Sequence, residues 1–438
     1  MHELLTVALG LFVAVALLLG GIQIAIAVGV GGVLTLLLNE GIRSLNAIGF
    51  VVWGSLNSST LSALPLFILM AELMLRSGVS DSYYDGMTRL IRRAPGGLLQ
   101  TNIASCSLFA AVSGSSVATA AAIGGVAIPR QKADGYDLAM TCGSIAAGGT
   151  LGILIPPSIV MIIYATFSEL SVAKLFMAGV VPGLFLTLMF MLYIAGRCLL
   201  DPKLAPPMPP AEKGSLLKGI REVAPMVGLM LVILGSIYLG IATPTEAAGV
   251  GALIAAAIAW FVRRPPPGAY FDAVLNTITV SASILFITVG AFIFNYAVQT
   301  TGIAGAFARW VIALDLNVTV YLILLFIFYA ILGCLVDSIG MIVMTVPLLL
   351  PILVAYKVDL IWFGVILVVV VELGQITPPV GINLFVVDSI AKAGIGPVIR
   401  GVVPYRHFPA AAADLPAARH MVACEHVAGK RARAFAPS

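Results

Sequence analysis

Charge is what this chain has least of. Only 10% of its 438 residues are Asp, Glu, Lys or Arg, less than half of the roughly 25% usual in soluble domains. That deficit excludes a soluble enzyme, a disordered regulator and a partner of nucleic acid. Histidine is confined to His2, His407, His420 and His426, all near the ends. There is no HExxH, no GxSxG in a suitable setting and no P-loop lysine. No catalytic constellation is therefore expected, and without an ATP site the driving force should be an ion gradient. The five cysteines, Cys106, Cys142, Cys198, Cys334 and Cys424, form no CxxC and have no nearby histidine. They read as small packing residues rather than a metal or disulfide framework, and no cofactor is expected. Polar and apolar residues do not alternate in ~10-residue runs, which excludes an outer-membrane barrel.

What the chain has instead is hydrophobic surface, 60% of its residues. Apolar segments fall at about 4–20, 22–38, 47–75, 98–112, 117–129, 138–167, 174–196, 223–241, 246–262, 273–300, 318–334, 338–356 and 359–390. Crossing ~30 Å of hydrocarbon takes about 20 apolar residues as a helix, so these predict an all-α, polytopic membrane protein. The first run is followed directly by a second with no cleavage signature between them, and is expected to be helix 1. Glycine (44) and proline (25) cluster inside the apolar runs. In lipid such breaks persist only where the freed backbone is buried in protein or lines a cavity.

Residues 201–221, rich in proline and charge, read as a linker. The sequence on its two sides repeats at an offset of 222 residues: Gly152-x3-Pro156-Pro157 meets Gly374-x3-Pro378-Pro379, Pro129 meets Pro351, and Ser116 meets Ser338. Gly179-Val180-Val181-Pro182 likewise recurs as Gly401-Val402-Val403-Pro404. Two structural repeats, 1–200 and 222–404, follow. Cytoplasmic flanks are enriched in Lys and Arg. Residues 98–129 lie between Arg89, Arg92 and Arg93 on one side and Arg130 and Lys132 on the other. The stretch is too long for one crossing and too short for two, so it should be a hairpin re-entering from the cytoplasm. Its counterpart, 318–351, is flanked by Asp315, Asn317, Lys357 and Asp359 with no positive bias, and should enter from outside. Arg197, Lys203, Lys213, Lys218 and Arg221 place the linker inside. The repeats are thus expected to be inverted, each pairing a re-entrant hairpin with a broken helix, 138–167 and 359–390. That plan recurs in secondary transporters, with the site near the midplane.

Chemistry should sit at the breaks. Ser113-Gly114-Ser115-Ser116 interrupts the first hairpin, and Thr119 follows one turn on. Hydroxyls and freed carbonyls there suit Na⁺, and the start of the second half-helix suits an anion; a seam of small residues for close helix packing is the alternative. Gly148-Gly149-Thr150-Leu151-Gly152 leads into Pro156-Pro157, whose missing amide hydrogens free carbonyls. Gly374 to Thr377, then Pro378, Pro379 and Asn383, form the matching break. A bound ion or substrate would satisfy those carbonyls, as would neighbouring Ser or Thr hydroxyls. Three acids lie within apolar stretches. Asp337 and Glu372 are functional candidates by their cost in lipid; Glu72 should pair with Arg76. Thr243-Pro244-Thr245-Glu246 reads as a capping box.

The runs SGSSVATAAAIGGVAIP (113–129), GILIPPSIVMIIYA (152–165), AGVVPGLF (178–185), TPTEAAGVGAL (243–253) and GQITPPVGINLFV (374–386) resemble the large membrane subunit of TRAP transporters. These are tripartite ATP-independent periplasmic systems of bacteria and archaea. The resemblance covers roughly residues 1–404. It implies an inner-membrane, Na⁺-coupled importer of organic acids moving by an elevator-type step. It also implies two partners, a small four-helix membrane subunit on a separate chain and a periplasmic substrate-binding protein. One Na⁺ site would be carried by Ser113, Ser115, Ser116, Gly149 and Gly152. The other would be carried by Gly333, Asp337, Ser338, Gly374 and Thr377. Ser113, Gly114, Thr119, Thr150, Pro156, Pro157, Pro378, Pro379 and Asn383 would shape the substrate site. A stand-alone ion-coupled carrier of divalent anions, and a passive channel or scaffold subunit, are the competing readings.

The sequence departs from the family at its end. After Gly179-Val180-Val181-Pro182 the first repeat runs into an apolar crossing, whereas after Pro404 residues 405–438 stay polar and proline-broken. A change of reading frame near residue 405 is the expected cause; a natural cytoplasmic tail is the alternative.

Overall fold

The computed structural model describes residues 2–207, 215–334 and 336–408. Every regular element among them is helical. The chain opens with α1 (His2–Leu19), α2 (Ile24–Glu40), α3 (Leu45–Leu56) and α4 (Ser59–Arg76). The single apolar segment at 47–75 is therefore two helices. Asn57 ends one, and the Ser58 hydroxyl caps the next by accepting from Leu61 N, a local geometry that hydropathy cannot register.

A short amphipathic helix, α5 (Val79–Ile91), leads to the first hairpin, α6 (Leu98–Ser113) and α7 (Ser116–Ala133). The first broken helix follows as α8 (Leu138–Leu154) and α9 (Ile159–Ser168), and α10 (Val172–Leu200) ends this half. After the linker come α11 (Ser215–Tyr238), α12 (Pro244–Ile258, continued by a π-helical turn over Ala259–Arg263) and α13 (Pro267–Thr300). The second half then runs α14 (Ile303–Ala313), hairpin α15 (Val318–Gly333) and α16 (Ser338–Ala355), broken helix α17 (Leu360–Gln375) and α18 (Ile382–Ala391), and α19 (Ile395–Val402). Hairpin and break thus recur in the same order in both halves. The linker is shorter than its composition suggests, because α11 already begins at Ser215 and carries Lys218 and Arg221 within it.

Seven helices among the described residues are long and apolar enough to cross a membrane, α8 and α9 counting as one. That pair is the spine of the fold: every residue from Met140 to Leu154 is buried. Elements of the second half pack onto it, with Tyr164 Oη donating to Leu360 O at 2.7 Å. The base of the first hairpin is held by a buried polar network. Tyr84 Oη donates to Asn102 Oδ1 (2.7 Å), Gln131 Nε2 to the same oxygen (2.7 Å), Asn102 Nδ2 to Ser144 Oγ (2.8 Å) and Thr141 Oγ1 to Gln131 Oε1 (2.9 Å). Paired this way, these groups avoid the desolvation cost of burial and fix α5, α6, α7 and α8 to one another. Ion pairs Arg130–Asp85 (2.5 Å) and Arg89–Glu222 (3.1 Å) tie α5 to α7 and to α11.

Two expected local features are present. Glu72 pairs with Arg76 at 3.0 Å, and Thr243 with Glu246 forms the capping box that opens α12. After α19 a 3₁₀ turn, Val403–His407, seats Tyr405 fully buried against Phe190 and Tyr193 of α10. Tyr405 is thus packed into the fold, whereas His407 two residues on is exposed. The expectations for the rest of the tail, 409–438, lie outside the described residues.

Candidate site where two hairpin tips meet

Each hairpin tip lies against the break of its own half. Helix α6 stops because Gly114 takes a left-handed φ of +61°, a conformation that costs glycine nothing. A Cβ there would sit 2.7 Å from Pro157 O, and Gly114 O accepts from Ile159 N at 3.2 Å. Ser115 restarts the chain as the N-cap of α7. Behind the tip, Ser113 Oγ lies 2.6 Å from Thr119 Oγ1, which donates to Ser115 O at 2.8 Å. This oxygen cluster rests on bare backbone of α8. A Cβ on Gly152 would come within 2.5 Å of Ser115 O, and one on Gly149 within 2.7 Å of Ala120 Cβ.

The second tip repeats the arrangement with different residues. Gly333 and Gly374 touch through their backbones, so that a Cβ on Gly374 would lie 2.7 Å from Gly333 Cα. Asp337 caps α16 by accepting from Ile339 N at 3.1 Å, and Ser338 Oγ accepts from Gln375 Nε2.

Both tips open onto one cavity of about 510 Å³. Ser113, Gly114, Ser115 and Ser116 line it from the first tip, and Asp337 and Ser338 from the second. Gln375 contributes from the second break and Ile159 from the first. The opposite wall is α4 and α13, with Glu72, Asn276, Thr279 and Ser283 facing in. Both Glu72 oxygens are engaged, one by Arg76 Nε and the other by Asn276 Nδ2 at 2.6 Å. No Lys or Arg lines the cavity among the described residues. Three helices, α7, α9 and α16, begin at it, and helix starts carry the positive end of the dipole.

Sequence reasoning named most of these groups, though not as one site. Thr119, Gly149 and Gly152 lie immediately behind the first tip, and Gly333 and Gly374 behind the second. Thr150 is elsewhere: its hydroxyl donates to Ala147 O at 2.7 Å within its own helix. Asn383 is fully buried at the start of α18, with neither side-chain amide atom hydrogen-bonded, and is not a lining residue. Pro156–Pro157 and Pro378–Pro379, both cis, form the breaks themselves. Two carbonyls near these breaks are taken up by hydroxyls, Ile153 O by Ser158 Oγ at 2.5 Å and Leu373 O by Thr377 Oγ1 at 2.6 Å. Glu372 is buried beside the second break, and neither of its oxygens is hydrogen-bonded. Gln375 and the α13 wall escaped sequence reasoning. Asn276, Thr279 and Ser283 fall at i, i+3 and i+7 of an apolar helix, a polar stripe that helical spacing could have flagged.

The tips present oxygen donors of the kind that hard cations take. They are hydroxyls, backbone carbonyls and the Asp337 carboxylate, on tips that pack against glycines more closely than a Cβ would allow. No cluster of three or more His, Cys, Asp or Glu occurs among the described residues.

A family model described as tripartite ATP-independent periplasmic transporter, DctM component, matches residues 11–412. The chain belongs to the DctM family. It is 38% identical over 384 residues to the C4-dicarboxylate TRAP transporter large permease protein of Pseudomonas aeruginosa, covering 86% of this chain and 88% of that one. It is 33% identical over 426 residues to the protein of the same description from Vibrio cholerae, covering 92% and 93%. The sialic acid TRAP transporter large permease protein of Vibrio cholerae is 28% identical over 352 residues, covering 80% and 82%. Among solved structures, the Alcanivorax borkumensis YdaH transporter superimposes with a TM-score of 0.61 at 17% identity, covering 88% of this chain and 90% of that one. That likeness concerns the fold. This DctM-family chain is a transporter permease subunit, a multi-pass protein of the inner membrane, and not an enzyme.

Proposed function

We propose that this DctM-family permease imports an organic acid, in the first instance a C4-dicarboxylate, by coupling its entry to Na⁺. The observation that carries the reading is the shared cavity, where two hairpin tips present hydroxyls, the Asp337 carboxylate and helix starts but no basic side chain. An anion entering such a cavity needs positive charge from elsewhere. Three helix starts supply part of it, and Na⁺ bound beside the tips would supply the rest while contributing the energy of its gradient. Ser113, Ser115, Ser116, Gly149 and Gly152 would hold one ion. Gly333, Asp337, Ser338, Gly374 and Thr377 would hold the other.

The two halves are inverted repeats in this reading. Their hairpins and broken helices move together past the α4–α13 wall as an elevator. A small four-helix membrane subunit and a periplasmic binding protein complete the system, the latter selecting the substrate. The choice of C4-dicarboxylates follows the 38% identical relative named for them; sialic acid, named for a 28% identical relative, is the second candidate.

The test is reconstitution of the three components in liposomes, with succinate, fumarate, malate and sialic acid supplied outside, with and without an inward Na⁺ gradient. Uptake of a dicarboxylate only with the gradient is the expected result. Uptake that persists without Na⁺ would point to a passive channel, and uptake by this chain alone to a stand-alone carrier.

A further inference from the structure

The two breaks end on chemically different residues. At the 222-residue offset, Glu372 stands where the first half has Thr150, and Gln375 where it has Ile153. The Thr150 hydroxyl is satisfied within its own helix. Ile153 lines the cavity at the tips but has no polar side-chain atom to offer. Gln375 lines the same cavity and reaches the second hairpin, where its Nε2 donates to Ser338 Oγ. Both residues of that bond are buried, so the amide is fixed directly beside the second tip, one residue after Gly374.

The other half of the amide has no partner. Gln375 Oε1 is buried and accepts no hydrogen bond within the chain. Three residues earlier on the same side of α17, both Glu372 oxygens are likewise buried and unbonded. Three oxygens on one helical turn are thus removed from water without a donor, which is costly unless something positive meets them. Gln375 is also the last residue of α17, and a helix C-terminus carries the negative end of the dipole. No Lys or Arg lines the cavity beside it to answer that potential. Side-chain amide oxygens are hard ligands, used for cations that take oxygen.

We propose that Gln375 is a further ligand of the ion at the second tip, offering Oε1 beside Ser338, and that it makes the two tips unequal. The inference rests on the Na⁺-coupled reading above. The second tip then holds its ion with the Asp337 carboxylate, the Ser338 hydroxyl and an amide oxygen. The first tip has Ser115, Ser116 and Ile153 at the same three positions, and so neither a carboxylate nor an amide. Greater ligand charge tightens a cation site, and the second tip therefore fills at lower Na⁺ than the first. The bond to Ser338 holds the amide in place before the ion arrives, so binding has little side-chain ordering left to do.

The experiment is equilibrium binding of radiolabelled Na⁺ to the full chain in detergent, with choline chloride holding the ionic strength and a thermal melt of each form in choline alone. The parent should bind in two phases, one tight and one weak. Gln375→Met keeps the length of the side chain and removes its amide. It should weaken the tight phase about fivefold or more, the range for losing one buried polar partner, and leave the weak phase unchanged; Gln375→Leu should do the same. Gln375→Glu keeps an oxygen at the ligand position and should hold Na⁺ at least as tightly as the parent. If the apolar variants do not melt cooperatively in choline, Gln375→Glu carries the test by itself. A Gln375→Glu protein that binds as weakly as Gln375→Met would show that the amide acts only by donating to Ser338, and would overturn the ligand role. Parent-like binding by a folded Gln375→Met would overturn it too, with Na⁺ coupling untouched. A parent with two equal phases would refute the inequality of the tips, and a parent that binds no Na⁺ would remove the coupling reading along with this one.

Discussion

Substituting Gly152 by alanine probes the first tip most directly, because sequence makes the change look harmless. A Gly→Ala change inside a helix ordinarily adds up to ~1 kcal/mol of stability. Here the added Cβ would lie 2.5 Å from Ser115 O and 2.7 Å from Thr119 Oγ1. Ordinary contact begins near 3.4 Å, so the Ser115 carbonyl must retreat by about 0.9 Å. That carbonyl belongs to the residue capping α7 and accepts from Thr119 N and Oγ1, so the oxygen cluster moves with it. Overpacking of this kind costs ~1–3 kcal/mol. Borne by the ion-bound tip, the same energy is roughly a 5–150-fold loss of affinity. Gly125→Ala, on the same hairpin, is the control, since a Cβ there meets nothing within 4 Å. The assay is Na⁺-dependent uptake by the reconstituted three-component system, with a thermal melt of each variant. Gly152→Ala should raise half-saturating Na⁺ at least fivefold, while Gly125→Ala leaves it unchanged. A Gly152→Ala protein that melts like the parent and takes up substrate at the parent's Na⁺ requirement would refute the placement of an ion at this tip.

Ser115→Ala should also raise the Na⁺ requirement, and through loss of the α7 cap should lower stability by about 1 kcal/mol; a melt combined with the uptake assay separates the two effects. Replacing Pro378-Pro379 by Ala-Ala restores two helical N–H donors, so the protein should stay folded by circular dichroism and melting while uptake fails. Full uptake would remove that break from the site. Gln131→Ala, at the base of the first hairpin, leaves the Thr141 hydroxyl without its acceptor and takes one of two donors from Asn102 Oδ1, and should cost ~1–3 kcal/mol, read as a lower melting temperature. A Gln131→Ala protein as stable as its parent would mean that the network does not hold the hairpin.

Much of this protein was legible before any coordinates. Apolar runs of bilayer length, few charges and no catalytic motif already specify a polytopic helical membrane protein, because lipid leaves the backbone no alternative to helix or barrel. The paired breaks and the 222-residue register were also legible, since glycine and proline act on the local backbone wherever they occur. Helices α5, α14 and α19 were not, as each is short and amphipathic and falls below any hydropathy threshold; nor was the division of 47–75, which turns on one serine cap. The site was visible only as fragments. Ser113 to Ser116 and Asp337 to Ser338 are over 200 positions apart, and only the packing of both hairpins around α8, α9 and α17 brings them to one cavity. The opposite wall belongs to α4 and α13, whose polar groups carry no motif. Gly152 and Gly125 look alike in the sequence; one faces the Ser115 carbonyl and the other faces open space, and tertiary contact alone decides which of them a methyl group would disturb.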